Sequence, residues 1–275
     1  MNTSVHIATV EELRERIRCL EGGARHSRAV LPFGVNAIDE HLPEGGLALG
    51  ALHEAAGGGT GAVDGAAAAL FAAGIAARTR GPVLWCVTRQ DLFAPALAQA
   101  GLAPDRVIYV EAGDEKAVLA CFEEALRHPK LGAVVGEIAH LSMTASRRLQ
   151  LAAEGSGVIG LALRRWRRRA EASEFKYPTA SVTRWRVSAL PSAPLPVPGV
   201  GRARWRLELV RCRAGDSATF ELEACDAQGR LALASTLAYR PTQAAQARTQ
   251  GWLPPTHRDM GSIWAVHMKT ARHHR

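Results

Sequence analysis

The sequence predicts an α/β fold: a parallel sheet flanked by helices and continued at its C-terminal side by antiparallel strands. Three observations predict it. Short apolar runs alternate with helical periodicity from residue 51 to residue 163. The runs carry no polar alternation, as strands buried on both faces must. After Arg164 the pattern changes to strict period-two alternation, the mark of strands with one solvated face.

The elements follow in order. Thr9 with Glu12 is a capping box, and Val10, Leu13, Ile17 and Leu20 give residues 9–20 one apolar helical face, ended by Gly22 and Gly23. A segment punctuated by Gly and Pro spans residues 31–50. Strands are expected at 51–55, 82–87, 107–110, 131–135 and 157–163, and helices at 64–80, 92–100, 114–127 and 143–153. The period-two runs are 182–187, 203–212 and 219–225. In the second, Trp205, Leu207 and Leu209 share one face while Arg204, Arg206 and Glu208 share the other; in the third, Phe220, Leu222 and Ala224 oppose Glu221 and Glu223. Ala214, Gly215 and Asp216 join these two as a hairpin, so that Arg204 or Arg206 faces Glu221 or Glu223. Pro-rich residues 191–198 form a link. Three segments result: an N-terminal helix (1–27), a core domain (28–239), and a C-terminal tail (240–275) in which Trp252, Trp264, Met260 and Met268 stand on a weakly patterned background. Trp264 and Met268, spaced i, i+4, suit partner docking together with Trp252.

Composition excludes several classes. The 275 residues contain no apolar run long enough to span a membrane, and the N-terminal residues have no secretory core, so a cytoplasmic protein is expected. Five scattered cysteines (Cys19, Cys86, Cys121, Cys212, Cys225) without a C-x-x-C pair argue for reduced thiols rather than a disulfide framework or a structural metal. No metal and no cofactor is expected.

Charge is the stronger clue. The chain carries +8 overall, yet residues 161–213 hold twelve Arg and Lys176 against Glu171, Glu174 and Glu208, an excess of ten. A concentrated basic field selects a polyanion, nucleic acid first. Its densest part is Arg164, Arg165, Trp166, Arg167, Arg168 and Arg169, with Phe175, Lys176 and Tyr177 close behind. Guanidiniums neutralise phosphates and aromatic faces stack unpaired bases, so single-stranded DNA is the expected ligand, with Arg147 and Arg148 extending the patch.

Residues 31–50, LPFGVNAIDEHLPEGGLALG, resemble the entry to a RecA-like core: Gly34, Ile38, Asp39, Gly45, Gly46, Leu47 and Gly50 fill its glycine and aspartate positions. The words GALHEAA, GPVLWC, TRWRVSALPS, RWRLELVRCRAG and LEACDAQGRLALA are similar to segments of the ImuA family, RecA-like proteins of bacterial damage-induced mutagenesis. That resemblance covers about residues 28–235. It implies a role in error-prone translesion synthesis and three protein partners: an ImuB-like homologue of Y-family polymerases, an error-prone DnaE-type polymerase reached indirectly, and RecA.

The nucleotide loop departs from that superfamily. A phosphate-binding loop reads G-x-x-x-x-G-K-[ST], where the Lys meets the β/γ charge and the hydroxyl ligates magnesium. Here Gly57, Gly58, Gly59, Thr60, Gly61, Ala62, Val63 and Asp64 occupy it: Ala62 replaces the second Gly, Val63 the Lys and Asp64 the hydroxyl. Arg89 stands after the second strand where RecA-like ATPases place a water-orienting Glu, and Glu137 alone could serve the magnesium side. A strand-end carboxylate satisfied by a nearby Arg is the plainer account of Glu137. A non-hydrolysing adaptor is therefore expected rather than an enzyme. The competing readings are a weak DNA-dependent ATPase and an inhibitory protein similar to the SulA division inhibitors, and the basic run 164–169 speaks against the latter.

Overall fold

The structure is a computed structural model that describes residues 29–59, 61–166, 169–192, 199 and 201–233. The chain divides into two compact units. One comprises Met1–Ala193 and Arg202–Ala234 and contains every described element. Of the other, Pro194–Gly201 with Ser235–Arg275, only Gly199 and Gly201 are described. The expected N-terminal helix and the tail residues Trp252, Trp264 and Met268 lie outside the described residues.

The segment that opens the core forms a small hairpin, β1 (Val30–Leu31) with β2 (Leu47–Ala48), enclosing the short helix α1 (Asn36–Asp39). Asp39 explains its sequence: the carboxylate accepts the Phe33 N–H (2.7 Å) and the Gly34 N–H (2.9 Å), closing the turn at Gly34, whose φ of 75° suits glycine.

The main sheet is built from β3 (Leu52–Gly57), β4 (Val83–Val87), β5 (Val107–Glu111), β6 (Ala133–Ile138), β7 (Ile159–Arg164), β8 (Thr183–Leu190), β9 (Arg204–Cys212), β10 (Ala218–Glu223) and β11 (Ala232–Leu233). Its order is β11-β10-β9-β8-β3-β7-β6-β4-β5. β3 to β8 run parallel and the last three strands antiparallel, an arrangement consistent with a RecA-like core. Every residue of β3, β6 and β7 is buried, including the polar His53, Glu54, Glu137 and Arg164 that stand among their apolar residues.

Two helical layers cover the sheet. On one face α2 (Ala62–Ala77), rich in alanine, and α3 (Ala94–Gln99) pack with Phe33, Phe71, Trp85, Trp185 and Trp205. On the other face α4 (Glu115–Leu126) and α5 (Met143–Ser156) pack with Phe122, Val134 and Leu149. Asp114 and Ser142 cap the latter two helices, accepting from the amides of Ala117 and Ala145.

One strand differs from its sequence reading. Alternation groups residues 182–187 with the antiparallel extension, but β8 runs parallel to β3 and antiparallel to β9, and it extends to Leu190. Period-two alternation reports which face is solvated and says nothing of direction. The hairpin is as expected: Arg206 pairs with Glu221 and Arg204 with Glu223 in register, and both guanidiniums reach Glu221, at 3.4 and 3.5 Å.

Candidate nucleic-acid interface

The carboxyl ends of the parallel strands converge on a crevice, the usual ligand position in such sheets. The glycine-rich loop leaves β3 there. Gly58 N–H donates to Val187 O at 2.8 Å, and a Cβ on Gly58 would fall 1.7 Å from Ser188 Oγ, so the loop is drawn closely onto β8 and a larger residue would displace the Ser188 hydroxyl. Gly61 precedes the first turn of α2. Asp64 turns inward: its Oδ1 accepts the Ala189 N–H at 2.9 Å, and a Cβ on Gly59 would lie 2.9 Å from its Oδ2. The loop and the helix start thus enclose the chain's own carboxylate, favoured there by the helix dipole. Val63, in the lysine position, is 69% exposed. Thr60 lies outside the described residues.

Two cavities flank Trp166, which lines both. One, about 430 Å³, lies between the loop and α3 and is mostly apolar, with Gly57, Gly59, Leu92, Phe93 and Leu97 in its wall. The other, about 400 Å³, is polar and carries Arg89, Asp91, Asp114, Glu115, Glu137, His140 and Arg165. Glu137 takes the plainer of its two readings: Trp85 Nε1 donates to one oxygen (2.9 Å) and Arg165 to the other (2.6 Å).

The basic run does not stand on the surface as a unit, which corrects the expectation for its first members. Arg164 is 1% exposed; its guanidinium donates to Glu54 Oε2 (3.0 Å) and Ala139 O, leaving no face for a phosphate. Arg165 is half-buried and held by Glu137 and by Asp91 (2.8 Å). Trp166 packs edge-on against Phe175, with ring centres 5.6 Å apart, and its indole N–H is buried without a hydrogen-bond partner among the described residues. The backbone of Arg169 opens the short helix α6 (Arg169–Ala172). Its side chain, and Arg167 and Arg168 altogether, lie outside the described residues. Lys176 and Arg147 are exposed, and Arg148 is ion-paired with Glu123 at 2.5 Å.

The feature that sequence reading missed is a buried charge cluster around Glu54. The carboxylate, 0% exposed, receives Arg164 on one oxygen; on the other it receives the hydroxyls of Thr179 and Ser181 (2.8 Å for Ser181), with Arg184 Nε 3.3 Å away. Arg184 also donates to Phe175 O and lies over the Phe175 ring, 4.3 Å from its centre. Burial lowers the Arg184 pKa, and Glu54 opposes that shift. The available signal was a charged residue in each of three strands next to one another in the sheet: Glu54, Arg164 and Arg184. A buried charge demands a partner. One position earlier, His53 Nε2 donates to Ala48 O (2.9 Å) and its Nδ1 meets Thr183 Oγ1 (2.7 Å); burial depresses its pKa to about 4.

Among the described residues no helix is long and apolar enough to cross a membrane, and no three His, Cys, Asp or Glu side chains group to hold a metal ion.

The class thus defined is an α/β sheet protein whose glycine-rich loop lacks the phosphate-binding lysine and holds its own Asp64. No family model matches the chain. It is 39% identical over 239 residues to Protein ImuA of Caulobacter vibrioides strain NA1000 / CB15N, an alignment covering 83% of this chain and 98% of that relative. The same figures hold for Protein ImuA of Caulobacter vibrioides strain ATCC 19089 / CIP 103742 / CB 15. The chain belongs to the ImuA family, and so to the damage-induced mutagenesis system.

Proposed function

We propose that the chain is a non-hydrolysing, RecA-like adaptor of error-prone translesion synthesis, holding single-stranded DNA on its basic region while binding polymerase components. The observation that carries this reading is the loop: Val63 stands exposed in the lysine position, and Asp64 is folded inward onto the Ala189 amide. A nucleotide's phosphates would meet a carboxylate and no cation from the loop, and like charges repel. Arg89, after β4, cannot act as a base because its guanidinium stays protonated. The fold then serves as a set of surfaces. Family membership supports the pathway, and the resemblance supplies the partner class: an ImuB-like polymerase homologue, through it an error-prone DnaE-type polymerase, and RecA.

The test is phosphate release and DNA binding by the purified full chain with magnesium and ATP, with and without single-stranded DNA. The expected result is no release above background and salt-sensitive DNA binding that ATP does not change. DNA-stimulated phosphate release, or binding that requires ATP, would overturn the reading.

A further inference from the structure

With Arg164 and Arg165 committed to carboxylates, a second group of cations among the described residues gathers around the strap of residues 177–181 that leads into β8. Three elements converge on it. From the end of β9, Arg211 donates to Thr179 O (2.8 Å) and Arg213 to Ala180 O (3.0 Å). From the first turn of α5, Ser146 Oγ accepts the Ala180 N–H at 2.9 Å, and the next residue is the exposed Arg147. At the strap's own start, Lys176 Nζ lies 5.3 Å from the centre of the Tyr177 ring, and Tyr177 is 58% exposed. Beneath the strap, Glu54 carries one negative charge against Arg164 and Arg184, so the buried cluster adds a further positive charge to the field.

Among the described residues no carboxylate stands within ion-pair distance of Arg147, Lys176 or Arg211, while Glu174 and Glu208 are engaged by His140 and Arg186. A surface of fixed guanidiniums beside a projecting aromatic ring matches a single strand: cations track the phosphates, and the ring face takes an unpaired base. A duplex offers no free base face to such a ring. We propose that this strap is a single-stranded nucleic-acid site, with Tyr177 as the stacking platform and Arg147, Lys176 and Arg211 as phosphate partners. The inference rests on the DNA-holding reading above and relocates its contact from the start of the basic run.

The test is fluorescence anisotropy with the full chain at two salt concentrations, using an oligothymidine and an abasic strand, each of about 20 nucleotides. Tyr177→Ala is expected to weaken oligothymidine binding about tenfold and leave the abasic strand unaffected, with Tyr177→Phe close to wild type. Arg147→Ala, which removes no hydrogen bond of the strap, weakens both strands and lowers the slope of log affinity against log salt by about 0.7. If the wild type binds and Tyr177→Ala and Arg147→Ala match it on both strands, the strap is not the site, though the DNA reading stands. If the wild type binds neither strand, both fall. Equal loss on both strands in Tyr177→Ala overturns the stacking role. Polyglutamate binding as tight as oligothymidine and equally sensitive to Arg147→Ala identifies an acidic protein partner instead, and overturns the assignment.

Discussion

Two buried side chains in one strand set most of what single substitutions will show. His53 holds its pKa near 4 because burial disfavours the charged ring, whereas an unfolded chain protonates it near 6.5. The unfolded state therefore binds the extra proton between those values. The His53 contribution is complete above about pH 6.5 and declines as pH falls towards 4, by about 3 kcal/mol in all. Thermal melts of the wild type and His53→Gln across that range should converge towards acid, the variant showing the flatter profile; parallel profiles would contradict the assignment. Its neighbour Glu54 depends on its charged partners. Arg164→Ala leaves the carboxylate with Arg184 and two hydroxyls but removes the donor to Ala139 O. Breaking a buried pair in this way costs about 3–5 kcal/mol, measurable by urea unfolding. The Arg148–Glu123 pair makes the control: Arg148 is exposed and Glu123 keeps Arg127, so Arg148→Ala should cost less than about 1 kcal/mol.

At the scale of elements, the glycine-rich loop and α2 act as one piece, because Asp64 ties the helix start to β8. Supplying the missing cation and hydroxyl through Val63→Lys with Asp64→Thr should yield no ATP hydrolysis, since Ala62 still holds the place of the second glycine. Arg89 still follows β4, and the Ala189 amide loses its acceptor, lowering the melting temperature. Hydrolysis in that double variant would mean that the loop alone had been limiting. The elements themselves were largely legible in the sequence, since unbroken apolar runs and helical spacing record burial locally: β6 and α5 fall within a few residues of their expected places. The direction of β8 was not, because alternation carries no polarity. Nor was the Glu54 cluster, whose members are separated by 110 residues in the case of Arg164, a distance across which local pattern is silent. Of the basic run, Arg164 and Arg165 are taken up by carboxylates, while Arg167, Arg168 and the Arg169 side chain lie outside the described residues. Charge density predicts a field, and only the fold decides which guanidiniums it consumes; Arg211, and Ser146 beside Arg147, are brought to the strap through Thr179 and Ala180.

At the scale of the whole molecule, a single sheet carries two kinds of surface: a crevice at the parallel strand ends, and the open, charge-laddered face of β8 to β10. Along that ladder Arg206, Arg204 and Arg202 answer Glu221 and Glu223, so the antiparallel half is close to neutral where the strap is not. A partner recognised by net charge is steered to the strap.

The position of β3 in the middle of the sheet also governs how the chain comes into being. Its neighbours are β7 and β8, and the His53–Thr183 bond closes a separation of 130 residues. At ordinary synthesis rates that span takes on the order of ten seconds to emerge from the ribosome. During that interval β3 exposes two unpaired edges, and Glu54 faces no cation. Folding of the core is thus a late event in synthesis, completed only once the arginines of β7 and β8 have emerged. Chains truncated before residue 183 cannot close their sheet and are left open to proteolysis.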